Sequence, residues 1–179
     1  MENLLGSLLV ANGTLVDPNF RRAVVVITEH NESGAMGVVL NRPAPVTVEE
    51  AAPSLARLVP AGSHIFVGGP VQPEAAVVLA DFESFSLENK IVIGSIGMLA
   101  GLDGEVADGI RRARVFAGYA GWGPGQLEAE TEESAWIIED ALPDDIFTEE
   151  PQRLWSQVLQ RKGGDYRLLA LMPLDPSSN

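Results

Sequence analysis

Cysteine is absent from the 179 residues, which excludes disulfides, thiolate nucleophiles, zinc–cysteine clusters and thiol redox switches. Histidine is scarce: only His30 and His64 occur, and no His-Glu-x-x-His pairing exists. Long apolar runs are missing as well. The longest fall far short of the ~20 residues a membrane helix needs. The start, Met1-Glu2-Asn3-Leu4-Leu5-Gly6, carries no basic leader. A cytoplasmic location without membrane contact is therefore expected. Positive charge is thin too, with 12 Lys and Arg against 25 Asp and Glu and a formal net charge of -13. A field of that sign opposes nucleic-acid phosphates and anionic lipid, so a free-standing DNA-binding regulator is disfavoured.

What is present suits one globular domain over residues 1–179. Hydrophobic residues make up 46% and charged residues 21%, enough for a sizeable core without staples. No internal repeat or linker interrupts it, and the tail from about 174 is expected to be loose.

Strands are expected at Ser7–Ala11, Ala23–Thr28, Met36–Leu40, His64–Val67, Ala76–Ala80, Lys90–Gly94, Arg114–Tyr119 and Ala135–Ile138. Ala23–Thr28 is β-branched and continuously apolar, as in a strand buried on both faces. It should form an antiparallel hairpin with Met36–Leu40 across Asn31–Gly34. The segment from Asn41 to Pro45 ends that hairpin. Thr47 with Glu50 reads as a capping box, and Pro53 and Pro60 keep the helix after it short. Further helices are expected over Met98–Ile110, from Gln126, and over Pro151–Lys162, the last stopped by Gly163-Gly164. Strands early and helices late favour the α+β class.

The densest signal is Gly118–Glu128, with four glycines, one proline and two large aromatics in eleven residues. Such a run encodes one backbone path, a strand-to-helix corner. Its N–H groups suit an anion cradle. No Gly-Lys-Ser/Thr follows it, the glycine spacing is not that of a dinucleotide site, and Glu128 and Glu130 oppose a phosphate. A packed corner under Tyr119 and Trp122 is the plainer role.

Four motifs occur in sequence: Asp17-Pro18-Asn19-Phe20; His30 with Gly34-Ala35-Met36-Gly37 and Leu40-Asn41-Arg42-Pro43; Gly68-Gly69-Pro70-Val71; and the Gly118–Glu128 run with Trp136 behind it. Their order and spacing resemble the AlgH/YqgE family of small bacterial proteins over nearly the whole chain. The resemblance implies one α+β domain with a coiled, mostly antiparallel sheet flanked by helices. It implies no reaction. Members are described as uncharacterised or as transcriptional regulators, and no catalytic residues carry over.

Candidate ligand-binding residues are His30, Asn41, Arg42, Gly121, Trp122 and Gln126. His30 at a strand end beside Glu29 and Glu32 suits a general base or a ligand contact; its plainer role is a bond to the turn backbone. Arg42 suits a carboxylate or phosphate; its plainer role is pairing with Glu29 or Glu32. Convergence of His30, Arg42 and Gln126 in space is the requirement for a pocket near the glycine run. Arg111, Arg112 and Arg114 form a small basic cluster that suits nucleic acid or a phosphorylated ligand; their plainer role is as cations at a helix C-terminus. Ser95 lacks the glycine of a nucleophile elbow and reads as an N-cap. Core packing is expected for Trp122, Trp136 and Trp155. Between Arg114 and Arg153 lie ten acids and no base, a solvated face or a docking surface for a basic protein partner. No cofactor or metal motif is found. The expectation is a non-enzymatic regulatory or interaction protein, with an anion binder or enzyme near residues 118–128 as the alternative.

Overall fold

The computed structural model describes residues 2–84, 90–99 and 109–173. Its strands are β1 (Ser7–Ala11), β2 (Val24–Asn31), β3 (Gly34–Val39), β4 (Pro43–Thr47), β5 (His64–Val67), β6 (Val71–Phe82), β7 (Lys90–Ile93), β8 (Ile96–Met98), β9 (Ile110–Trp122) and β10 (Trp136–Asp140). The helices are α1 (Val48–Ala51), α2 (Gln126–Glu132), α3 (Pro143–Ile146), α4 (Pro151–Lys162) and α5 (Tyr166–Ala170), with a 3-10 segment at Pro53–Leu58. Ten strands join in one sheet of order β10-β1-β2-β3-β9-β6-β8-β7, while β4 pairs β5, and β5 also pairs β9. Among the described pairings only β5–β9 is parallel. This is an α+β architecture with a predominantly antiparallel sheet.

Local chemistry explains the early elements. Asp17 closes its turn by accepting from Asn19 N through Oδ1 and from Phe20 N through its carbonyl. Asn31 Oδ1 accepts from Ser33 N in the β2–β3 turn. The strand β2 is buried on both faces, as its apolar run requires. Val24 and Val26 enter one core cluster with Leu8, Val10 and Phe116, while Val25 and Ile27 enter another with Leu9, Trp122 and Trp136. Thr47 Oγ1 accepts from Glu50 N, but the helix it caps lasts one turn before Pro53. On α4, Leu154, Trp155, Val158 and Leu159 form a single apolar stripe in the first cluster. The buried Trp155 Nε1 donates to the Ala11 carbonyl at 2.8 Å.

Several sequence expectations need correction. The Asn41–Pro45 segment does not simply end a hairpin; Pro43–Thr47 is strand β4. The strand expected over Arg114–Tyr119 runs from Ile110 to Trp122, so the glycine run is strand up to Trp122 and only Gly123–Gly125 turns before α2. Arg111, Arg112 and Arg114 lie in that strand and not at a helix end. Ser95 caps no helix; it sits between β7 and β8 and donates to Asp81 Oδ1 at 2.6 Å. The helix expected over Met98–Ile110 has its first residue in β8 and its last in β9. Residues 100–108, and the tail from 174, lie outside the described residues.

Glycine explains the length of β9. At Gly118 (φ +73°) a Cβ would lie 2.5 Å from the Gly69 carbonyl oxygen, and at Gly69 (φ +157°) it would lie 2.2 Å from the Tyr119 carbonyl carbon. The two backbones cross with no room for a side chain on either. The Gly68-Gly69 and Gly118 motifs are thus two halves of one contact.

The sheet margins are covered. Pro43 and Pro45 deprive β4 of two amide donors, while Arg42 O, Ala44 O and Val48 N are bonded toward β5. Along β10, Lys162 Nζ donates to the Ile138 carbonyl and Arg161 Nη2 to the Asp140 carbonyl. Lys90 of β7 pairs with Glu29 of β2 at 3.2 Å.

Candidate functional site

Of the sequence candidates, His30, Gly121, Trp122 and Gln126 gather at one end of the β2–β3–β9 ladder. His30 pairs with Ala35, and Ala35 with Trp122. The His30 imidazole is fixed on both nitrogens. Nδ1 accepts from Leu4 N at 2.9 Å, so Nε2 carries the proton and donates to Glu128 Oε1 at 2.9 Å. The bond holds the Glu128 carboxyl below the usual glutamate range. A base whose lone pair is taken by a backbone amide is not poised to accept a substrate proton. Gln126 Oε1 accepts from Gly123 N and closes the turn. Gly121 is laddered to Met36.

Asn41 and Arg42 stand at the other end. Asn41 bridges Val24 N and the Arg22 carbonyl. Arg42 pairs with neither Glu29 nor Glu32; it donates to the Pro18 and Arg21 carbonyls at 2.8 and 2.7 Å. Burial lowers its pKa, with Asp17 opposing. From Val24 to His30 is roughly 20 Å of strand at about 3.3 Å per residue. The structure therefore does not bring Arg42 to His30 and Gln126.

All three tryptophans are buried. Trp122 stands 6.4 Å from the Phe20 ring and 6.1 Å from Trp136, and Phe20 stands 5.7 Å from Trp136. Glu130 lies beside this cluster. Burial raises its pKa, with Trp136, Gln126 and Trp122 opposing in that order. Neither Glu130 Oε2 nor Trp136 Nε1 has an aligned hydrogen bond among the described residues. An acid held up in the folded state adds stability below its unfolded pKa and loses it as pH rises through the folded one. Glu130→Gln should thus raise the melting temperature at pH 7, and the gain should shrink toward pH 4. A melting series across that range checks it; a gain that grows in acid would contradict it.

Two shallow depressions border this end. One, of about 310 Å³, is lined by Asn3, His30, Asn31, Glu32 and Glu128. The other, of about 260 Å³, includes Glu29, Tyr119 and Trp122. Their carboxylates oppose an anion.

A larger groove lies elsewhere, where the β4–β5 hairpin, β9 and the segment before α4 meet. Its main lobe is about 580 Å³, with Pro43, Pro45, His64, Arg114, Glu149 and Pro151 among its walls. A second lobe of about 300 Å³ shares His64, Phe66, Arg114 and Glu149 with it, and adds Arg112 and Phe147. Arg112, Arg114 and Phe116 share one face of β9. The guanidinium of Arg114 lies 4.5 Å from the Phe66 ring centroid, and Arg112 lies 4.3 Å from that of Phe147. Arg112 is paired with Asp81 and Asp144. Arg114 donates from Nη1 to the Thr148 carbonyl at 2.6 Å and the Ile146 carbonyl at 3.4 Å. Those acceptors are neutral. Among the described residues no carboxylate forms an ion pair with Arg114. Burial lowers its pKa, opposed by Glu149 and reinforced by Arg112.

A family model described as AlgH-like matches residues 8–167. The chain belongs to the AlgH-like family. A UPF0301 protein of Streptomyces coelicolor is 43% identical, over all of this chain and 97% of the relative. One from Mycobacterium tuberculosis is 41% identical over 97% of this chain and 90% of that protein. Among solved structures, the AlgH protein of Pseudomonas aeruginosa matches with a TM-score of 0.73 at 32% identity, covering 96% of this chain and 95% of that one. A Corynebacterium diphtheriae protein, DIP2367, matches with a TM-score of 0.86 at 26% identity, covering 96% and 94%.

One residue from each of the four motifs by which this AlgH-like chain resembles its family reaches the same place. Phe20, Gly34, Gly69 and Gly118 each contact, or lie within, the Gly118–Trp122 end of β9. At Gly34 a Cβ would lie 2.1 Å from the Trp122 carbonyl oxygen. These four residues of the AlgH-like domain thus build a junction. Apart from Pro43 the groove is made of other residues, and sequence reading missed it. The one available signal was Arg112, Arg114 and Phe116 at strand spacing. Membrane-spanning length is not reached by any helix among the described residues.

Proposed function

We propose that the protein works by binding, in a regulatory or interaction role, and that the groove beside β4 and β5 is where it binds. The observation that carries this is Arg114. A partly buried guanidinium costs stability unless its charge is met, and here ring and carbonyls meet it without neutralising it. A ligand carboxylate or phosphate would complete the set. The acidic stretch between Arg114 and Arg153 is a weaker docking candidate, because Glu128, Glu139, Asp144, Asp145 and Glu150 are each paired within the chain.

The test is thermal shift against a panel of small carboxylates, phosphates and amines, with Arg114→Gln beside the parent. At 100-fold excess over Kd a native-state ligand adds about 2.7 kcal/mol, or roughly 5–10 °C for a chain of this size. The shift should be lost in Arg114→Gln. Equal shifts in both proteins, or none for any compound, would remove the groove as the site. Turnover of a bound compound would replace binding with catalysis.

A further inference from the structure

Arg114 is not the only charge in the groove. Glu149 lines both lobes and is exposed, yet forms no ion pair with Arg114 among the described residues. Opposite charges thus stand in one groove without closing on each other. His64 stands on the same wall. Its Nδ1 donates to the Ala44 carbonyl at 2.7 Å, so in the neutral ring the exposed Nε2 is an acceptor. The remaining walls include the rings of Pro43, Pro45 and Pro151.

The charge of the whole chain narrows the occupant. At a net charge of -13 the molecule repels free anions at a distance, and Glu149 repels a phosphate dianion at contact. A ligand of zero net charge approaches freely and still brings a carboxylate. If it also brings an ammonium, Glu149 and His64 Nε2 both gain a donor. The lobes, at about 580 and 300 Å³, exceed what one amino acid fills and lie in the range of small-ligand sites.

We propose that the groove binds a small zwitterion of the amino-acid class, free at both ends, with its carboxylate on Arg114 and its ammonium on Glu149. Apolar side chains of the ligand lie on Pro43, Pro45 and Pro151. The room available favours a dipeptide over a single amino acid. This rests on the binding reading above and specifies its ligand.

Four probes dissect it by calorimetric titration: L-leucyl-L-leucine, its N-acetyl form, its C-terminal amide, and L-leucine. The free dipeptide should bind at least tenfold more tightly than either blocked form, each of which lacks one charge. L-leucine should bind more weakly than the dipeptide but compete with it. In Glu149→Gln, an exposed change that leaves the fold intact, the free dipeptide should fall to the affinity of its N-acetyl form. Arg114→Gln should abolish binding of both; if that variant fails to fold, Glu149→Gln alone decides.

N-acetyl dipeptide binding as tightly as the free form would overturn the zwitterion and leave the groove as an anion site. The amide binding as tightly would overturn it in favour of an amine site. No binding by any probe would overturn it outright, and the wider panel would then decide whether the groove binds at all. L-leucine binding more tightly than the dipeptide would keep the zwitterion and overturn the size preference.

Discussion

Replacing Gly69 by Ala should cost about 3–5 kcal/mol, a large share of the roughly 5–15 kcal/mol that holds a domain of this kind together. Two effects add. The backbone at Gly69 has φ +157°, outside the wells open to L side chains. The new methyl would also sit about 2.2 Å from the carbonyl group of Tyr119, and a backbone in a central strand cannot move aside. Gly118→Ala meets the same obstruction from the other side. Gly125 is the control. It has φ +76° but nothing within 4 Å of a Cβ, so Gly125→Ala should cost only about 1 kcal/mol. Urea titration of the three variants checks the order. A Gly69→Ala loss no larger than that of Gly125→Ala would refute the backbone crossing.

The second large effect is expected at Asp145. This aspartate is buried at the start of α3 and accepts from Arg161 through both oxygens, at 3.0 and 2.8 Å. It also accepts from Leu142 N at 2.8 Å. The pairing raises the Arg161 pKa. Removing one partner of a buried pair leaves the other charge uncompensated, typically at 3–5 kcal/mol. Arg161 is about one-third exposed, so water relieves part of this. Arg161→Ala is therefore expected near 3 kcal/mol. Asp145→Ala should cost about half as much, because the freed guanidinium can reach solvent and the main loss is the Leu142 N–H acceptor. The double variant should be less destabilised than the sum of the singles, by at least about 1 kcal/mol. Additive losses would show that the pair is not coupled.

How much of this was legible beforehand follows the range of the interactions. The β2–β3 hairpin was readable because apolar runs and an Asn-x-x-Gly turn are local signals. So was α4, whose Pro151 and Gly163 mark both ends. The full length of β9 was hidden, because Gly118 and Gly121 read as turn residues, and the Gly69 backbone pressed against Gly118 is out of view in the sequence. β4 was hidden by Pro43 and Pro45, which are tolerated only because the strand lies at a margin. His30 was rightly placed at a strand end, yet its lone pair goes to Leu4 N, a contact across 26 residues. The groove was the least readable part. Its walls come from residues 43–66, 112–115 and 147–152, brought together by the β5–β9 pairing between strands that are far apart in the chain.

The closed margins of the sheet bear on how the molecule behaves when crowded. Growth of fibrils from native molecules begins where a flat row of idle amides can template another strand. Here proline removes amides at one margin, lysine and arginine from α4 occupy carbonyls at another, and the third turns back onto β2 through an ion pair. Concentrated solutions should accordingly stay clear while the fold is intact, and cross-β assembly should track the unfolded fraction and not the total concentration.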